Sequence, residues 1–220
     1  MLKQLGASRI TSIFSFLFIC TQCVSAQSED SGLTTRRINL QVERTTLMYV
    51  LTTLAVDHRV PIGFEESLMD KHEPKLTLDM KDATLNDILN SVVNQEPIYT
   101  WDLRDGVINL RPIHGGDEFL TAFLTTRVNH FTPAIGVDKF QIRDAVLNLQ
   151  EVRTLFRRRK VSIGRFNYPA SPSVFTEDHV DLSISDTDVR GVLNRIIRNS
   201  EHKFWIVQRL EQTKAVRLGF

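Results

Sequence analysis

The chain has 220 residues, of which 42% are apolar and 24% charged, and its 27 Lys and Arg against 26 Asp and Glu give a formal net charge of +1. This composition is typical of a globular protein and excludes gross disorder, collagen-like repeats and low-complexity fibres. A charge so close to zero gives no electrostatic reason to expect nucleic acid or an anionic membrane as the main partner.

Residues 1–26 are predicted to be a cleaved secretory signal peptide. Lys3 and Arg9 precede an apolar stretch over 10–19, and Ala26 stands at the expected cleavage point. The apolar stretch is too short to cross a bilayer, which takes about 20 residues. We therefore expect a mature chain in the periplasm or outside the cell, with no transmembrane segment after cleavage.

Both cysteines, Cys20 and Cys23, lie inside the predicted signal peptide. A mature chain that begins near Gln27 has none, so we expect no disulfide, thiolate metal site or cysteine nucleophile. The polar stretch over 27–35 is expected to be a flexible mature N-terminus.

Two segments of the mature chain, 76–93 and 180–197, share one pattern. Aligning residue 76 with residue 180 matches every apolar position, and it also pairs Asn90 with Asn194 and Trp101 with Trp205. Alternating apolar residues predict a strand with one buried face, and the spacing i, i+3, i+4, i+7, i+8 then predicts a helix. Such internal similarity is typical of a repeated structural unit.

Flanking patterns extend the repeat on both sides. Residues 60–63 resemble residues 161–164, including the Ile-Gly pair at the end of each. An aromatic strand, a turn and a short final strand follow each later helix, and Arg104-Asp-Gly106 is a hairpin signal. Thr84 and Asp87 resemble a capping box, while Asp186 or Asp188 would cap the second helix. Earlier helices are expected over 47–55 and 142–156, after strands at 38–42 and around 123–128.

These patterns predict an α+β fold of two tandem small modules, each with two helices packed on one face of a small mixed sheet. The first module is expected over residues 36–112 and a second, divergent module over 119–220. A linker is expected over 113–118, where Gly115 and Gly116, after Pro112, interrupt the periodic patterns.

The order of elements resembles the STN domain, the short domain at the N-termini of secretins and TonB-dependent receptors. The resemblance covers residues 36–112 and extends, with fewer matches, to 119–220. Its residues are Leu47, Val50, Leu51, Leu54, Ala55, Ile62, Gly63, Phe64, Leu76, Leu78, Leu85, Leu89, Trp101, Gly106 and Ile108.

The resemblance implies a non-enzymatic domain that docks to protein partners in the bacterial cell envelope, with a homo-oligomer left open. Since no long barrel sequence precedes the final Phe220, we expect a stand-alone pair of modules in place of a channel or receptor. The alternative is a protein that binds a small molecule or polysaccharide in a cleft between the modules.

Residue patterns for chemistry are sparse. No HExxH, Walker A, G-x-S-x-G or G-x-G-x-x-G motif is present. His179 lies in an acidic stretch over 177–181, and Glu65 and Glu66 lie near Asp70, but a solvated loop explains the first and nothing predicts a pocket for the second. We expect no catalytic residue, no cofactor, no metal site and no nucleic-acid partner.

Two other features are candidates for contacts. The basic segment, which we define as Arg157, Arg158, Arg159 and Lys160, either complements the dipole at the end of a helix or contacts an anionic partner. Trp101 and Trp205 occupy equivalent strand positions, and they either pack in the core or between modules, or line a ligand site.

Overall fold

The computed structural model describes residues 32–66, 75–114, 116–134, 138–164, 182–210 and 214–220. The predicted signal peptide, with both cysteines, lies outside these residues, as do Asp70 and the stretch 177–181. Within the expected flexible N-terminus, residues 32–35 form one helical turn.

The described residues form a mixed α+β fold, as predicted. Helices and strands alternate along the chain, with a pair of consecutive helices in the second half. In chain order the elements are β1 (Arg37–Thr45), α1 (Leu47–Val56), β2 (Ile62–Glu65), β3 (Leu76–Thr84), α2 (Leu85–Gln95), β4 (Tyr99–Arg104), β5 (Val107–Pro112), α3 (Glu118–Leu124), β6 (Arg127–Phe131), α4 (Lys139–Leu147), α5 (Gln150–Arg159), β7 (Ser162–Ile163), β8 (Ile184–Asp188), α6 (Val189–Asn199), β9 (Phe204–Leu210) and β10 (Ala215–Gly219).

The helices form where the apolar spacing predicts them. All five residues of the predicted apolar stripe are buried in α1 and again in α6. Thr84 caps α2 by accepting a hydrogen bond from the Asp87 amide at 3.2 Å, and Asp188, one of the two predicted caps, accepts from the Gly191 amide at 2.8 Å. Each cap satisfies a backbone donor that a helix end would otherwise leave without a partner.

Three boundaries differ from the prediction, all of them after residue 112. The strand expected around 123–128 is a helix as far as Leu124, because Asp117 caps α3 by accepting from the amides of Phe119 and Leu120, and β6 begins only at Arg127. Glu118, expected in the linker, is already the first residue of α3. The single helix expected over 142–156 is interrupted at Asn148, whose side chain donates to the Asp144 carbonyl at 2.8 Å and ends α4.

One six-stranded sheet runs through both halves of the chain, in the order β4-β5-β2-β9-β10-β7. Each half contributes an antiparallel hairpin, β4 with β5 and β9 with β10, and a third strand parallel to it, β2 or β7. The halves meet where β2 pairs in parallel with β9. Each half also has a separate antiparallel pair, β1 with β3 and β6 with β8.

Corresponding residues in the two halves share an unusual backbone conformation. Asp82 and Asp186, aligned by the sequence repeat, have φ values of 48° and 53°. Asp tolerates this left-handed region better than most residues because its short side chain can bond locally. Each also pairs with an arginine that begins the neighbouring strand, Asp82 with Arg37 at 3.0 Å and Asp186 with Arg127 at 3.3 Å.

Two hydrophobic cores cover opposite faces of the six-stranded sheet. Trp205 and Val207 of β9 belong to the core of the second half, whereas Ile206, between them, belongs to the core of the first half. Successive side chains of a strand point to opposite faces, so the helices of the two halves lie on opposite sides. The central strand β2 is therefore buried along its whole length.

Candidate protein-interaction site

The two tryptophans aligned by the repeat each donate a hydrogen bond to an equivalent asparagine, but they differ in exposure. Trp205 Nε1 donates to Asn194 Oδ1 at 2.9 Å, and Trp101 Nε1 donates to Asn90 Oδ1 at 3.1 Å. Trp205 and Asn194 are both 0% exposed, whereas Trp101 is half-buried and Asn90 is exposed. Trp205, fully enclosed, has no surface to offer a ligand in a cleft.

Trp205 is covered by the joint, which we define as the parallel pairing of β2 with β9. The Ile62 amide donates to the Lys203 carbonyl at 2.8 Å, and the Glu66 amide donates to the Val207 carbonyl at 3.0 Å. Gly63 lies directly opposite Trp205 in this register. The first half thus supplies the strand, β2, that covers a tryptophan of the second half.

Gly63 is required at the joint because the indole of Trp205 occupies the space beside it. A Cβ on Gly63 would lie 2.7 Å from Nε1 of the Trp205 ring and closer still to two of its carbon atoms. The ring can lie flat against the backbone of β2 only where no side chain intervenes, which is one of the uses of glycine in a strand.

Asn194 connects the covered tryptophan to the other half. Its side-chain N–H donates to the Arg104 carbonyl at 3.2 Å, while its carbonyl accepts from Trp205. Arg104 in turn places Nη2 3.0 Å from both carboxylate oxygens of Asp188, the cap of α6. The buried side-chain amide of Asn194 therefore has a partner for its carbonyl in its own half and a partner for its N–H in the other half.

A buried ion pair lies beside the joint. Glu65 of β2 accepts a hydrogen bond from the Arg190 guanidinium of α6, and both side chains are largely enclosed. Burial raises the pKa of the Glu65 carboxyl above its ordinary value, and the charge of Arg190 opposes that rise.

The joint is therefore expected to lose stability as the pH rises. The native state keeps a proton on Glu65 at a pH where the unfolded chain, with a pKa of about 4.3, has lost it, so the free energy of unfolding falls as the pH rises through the native pKa. Glu65→Gln has no such proton to lose. Urea unfolding of both proteins from about pH 4 to about pH 8 should show the wild type losing stability relative to the variant.

The exposed Glu43→Gln serves as the control for loss of a carboxylate, and its difference from the wild type should not follow this trend. A wild type that gains stability relative to Glu65→Gln as the pH rises would contradict the assignment.

The outer side of β4 corresponds to the side of β9 that forms the joint, and no strand of the described residues pairs with it. Arg104 and Val107 flank a two-residue turn in which Asp105 and Gly106 have φ values of 55° and 72°. Flanking residues of such a turn are hydrogen-bonded to each other and bonding then alternates along the ladder, so the backbone of Trp101 and Leu103 is directed away from β5. We define this outward backbone of Trp101 and Leu103 as the β4 edge.

The basic segment lies where the sequence predicts, at the end of a helix. Arg157, Arg158 and Arg159 form the last turn of α5, and Lys160 ends it in the left-handed conformation with φ 52°. All four side chains are exposed. Their charges complement the helix dipole and leave the guanidinium groups accessible to an anionic surface.

Within the described ranges, no cluster of three or more His, Cys, Asp or Glu could hold a metal ion. Glu65 and Glu66 are adjacent in sequence, but Glu65 is engaged with Arg190. No helix in this part of the chain is both long enough and apolar enough to cross a membrane.

Two shallow depressions lie on the second half of the protein. Each has a volume of about 10 Å³, and both are lined by Lys139 of α4 and by Phe220. Neither tryptophan lines them, and both volumes are below the roughly 300 Å³ at which ligand pockets usually begin.

Sequence reasoning identified the tryptophans but missed what covers one of them. Gly63 carried the available signal, since a glycine inside an apolar strand often marks a close approach of another group. The partner in that approach lies far away in the sequence, so periodicity could not name it.

The chain was compared with known proteins. No family model matches it, and no curated protein is significantly similar to it in sequence.

Proposed function

We propose that this protein is a non-enzymatic interaction protein of the bacterial cell envelope, which binds a partner protein by accepting an extended strand along the β4 edge. The observation that carries the proposal is the contrast between the two tryptophans. In the second half Trp205 is buried under β2, whereas in the first half no strand of the described residues covers the equivalent Trp101.

The chemistry of the β4 edge suits strand addition. Outward backbone groups at Trp101 and Leu103 supply hydrogen bonds, and the half-buried indole supplies apolar area for the side of the incoming strand. The joint shows the same chemistry already satisfied once inside the protein, through the amides of Ile62 and Glu66.

The sequence supports the compartment and the class of partner. A predicted signal peptide over 1–26 directs the chain out of the cytoplasm, and the resemblance to STN domains favours docking to envelope proteins. The exposed basic segment adds an auxiliary contact with an anionic face of the partner or of the envelope.

Capture of envelope proteins by the immobilised mature chain tests the proposal. Wild-type protein is expected to retain a stoichiometric partner, whereas Trp101→Lys, which places a charge on the β4 edge, should lose it. Tyr49→Lys is the matched control, since Tyr49 is an aromatic residue 57% exposed on α1. Capture that is equal for all three proteins would refute the β4 edge as the docking site.

Glutamine at Arg157, Arg158 and Arg159 tests the auxiliary contact in the same assay. Retention of the partner should weaken and become less sensitive to salt, because fewer charges then take part. Unchanged retention and salt sensitivity would reduce the basic segment to a solvated helix end.

A further inference from the structure

The joint is a contact between two different surfaces, and each end of the six-stranded sheet repeats one of them. On one side of the joint is β2, whose counterpart in the second half is β7. On the other side is β9, whose counterpart in the first half is β4. The sheet order β4-β5-β2-β9-β10-β7 therefore begins with β4, the counterpart of β9, and ends with β7, the counterpart of β2.

The β7 end of the sheet has the backbone geometry of β2. The amides of Ser162 and Gly164 donate to the carbonyls of Lys214 and Val216 at 3.1 and 2.7 Å, so the backbone of Ile163 between them is directed away from β10. We define Ser162, Ile163 and Gly164 as the β7 edge. Ile62, the counterpart of Ile163 in β2, is directed toward β9 in the same way.

Burial distinguishes β2 from β7, as it distinguishes Trp205 from Trp101. Ile62 is 0% exposed in the joint, whereas Ile163 is 46% exposed and is one of the few large apolar side chains on the described surface. Gly164 follows Ile163 as Gly63 follows Ile62, and the side chain of Arg217 from β10 lies beside Gly164, where the joint holds the indole of Trp205 beside Gly63.

We propose that a second copy of this chain covers each end, with the β7 edge of one copy paired in parallel with the β4 edge of the next. Trp101 then lies toward Gly164 of the neighbouring copy, where the flexible Arg217 side chain moves aside for the ring, as Trp205 lies against Gly63 within the chain. This inference rests on the proposed function, because it names the occupant of the same β4 edge.

The strand directions determine what kind of assembly follows. Within the sheet, β4 and β7 run in the same direction. Two copies that are joined by a parallel pairing of these strands therefore have the same orientation. Each copy added in this way leaves a new β4 or β7 edge at the end of the assembly. A head-to-tail contact of this kind extends an open chain unless its rotation closes a ring.

Sedimentation velocity of the purified mature chain over a wide range of concentrations tests the inference. The average mass of the wild type is expected to rise with concentration past that of a dimer. Trp101→Lys and Ile163→Lys each remove one of the two surfaces, and each should weaken self-association at least about tenfold. Val56→Lys, at an apolar residue 67% exposed on α1, is the matched control and should associate as the wild type does.

A mixture of the two edge variants gives the most specific result. Trp101→Lys keeps the β7 edge and Ile163→Lys keeps the β4 edge, so together they should form pairs and stop at two chains. Thermal unfolding of each variant alone should still show one cooperative transition, which separates a lost contact from a lost fold.

Three outcomes would overturn the inference: a wild type that stays monomeric, a wild type that stops at a dimer, or an Ile163→Lys protein that associates like the control. A monomeric wild type whose Trp101-dependent capture of an envelope protein persists would leave the proposed function standing with a different occupant. Self-association without such capture would refute the envelope partner and support the second copy.

Discussion

Gly63→Ala is expected to destabilise the protein by about 3 kcal/mol, at the upper end of the usual range for overpacking, although it adds only one methyl group. The new Cβ would meet the Trp205 ring within its van der Waals radius, and the ring is fully enclosed, so it cannot move aside without displacing the second core. Equilibrium urea unfolding measures the loss directly.

Gly116→Ala is the matched control for this prediction. A Cβ there would lie 3.9 Å from Cβ of Pro112, an ordinary contact distance. Replacing glycine by alanine at a compatible site stabilises by about 0.4–1 kcal/mol through the unfolded state. Similar changes in the free energy of unfolding for both substitutions would show that the close approach of β2 to Trp205 is not a constraint.

Asn194→Leu is expected to destabilise by about 1–3 kcal/mol, because it leaves the buried indole N–H of Trp205 without the partner that it bonds at 2.9 Å. The bond of 3.2 Å from Asn194 to the Arg104 carbonyl is lost as well, but that carbonyl also pairs with Val107 across the turn between β4 and β5. Leucine has a similar volume, so the effect reports lost hydrogen bonds more than a cavity. Urea unfolding provides the measurement.

The repeat itself provides the control, since Asn90→Leu removes the equivalent bond to Trp101 at an exposed position. Water can replace that bond, so a change of about 1 kcal/mol or less is expected. Trp205→Phe should cost less in the Asn194→Leu background than in the wild type, because the indole N–H has then already lost its partner. Equal effects at Asn90 and Asn194 would contradict the assigned burial of the joint.

These effects concern the same contact that the proposal places between copies. If the joint within the chain is stabilised by Gly63, Trp205 and Asn194, the corresponding Trp101 and Asn90 keep the same hydrogen bond at one end of the sheet, and Gly164 repeats the glycine at the other, with the Arg217 side chain beside it. Stability of the single chain and association of several chains then depend on one kind of interaction.

Elements defined by local patterns were predicted well. The apolar stripe of α1 is buried residue by residue, and so is that of α6. Thr84 and Asp188 cap helices because their side chains reach amides three residues ahead, and Asp-Gly forms the tight turn between β4 and β5. Each of these depends on residues within one or two turns of chain, where side-chain type and spacing carry the information.

Boundaries failed where a local competitor was overlooked. The apolar residues Phe119 to Leu124 fit a strand ending as well as a short helix, and the Asp117 cap decides for the helix. Asn148 interrupts the long helix through its own side-chain bond to the Asp144 carbonyl. Asn and Asp compete for backbone groups in this way at many helix ends.

By itself the sequence determined the local elements, the α+β class and the pairing of Asn90 with Asn194 and Trp101 with Trp205 across the chain. Only the tertiary structure decided that β2 pairs with β9, that the two cores lie on opposite faces of one sheet, and that one tryptophan is covered while the other is not. The reason is physical: periodicity reports which side chains are buried, whereas the joint is made by backbone groups, which are the same for every residue and which pair strands far apart in the chain.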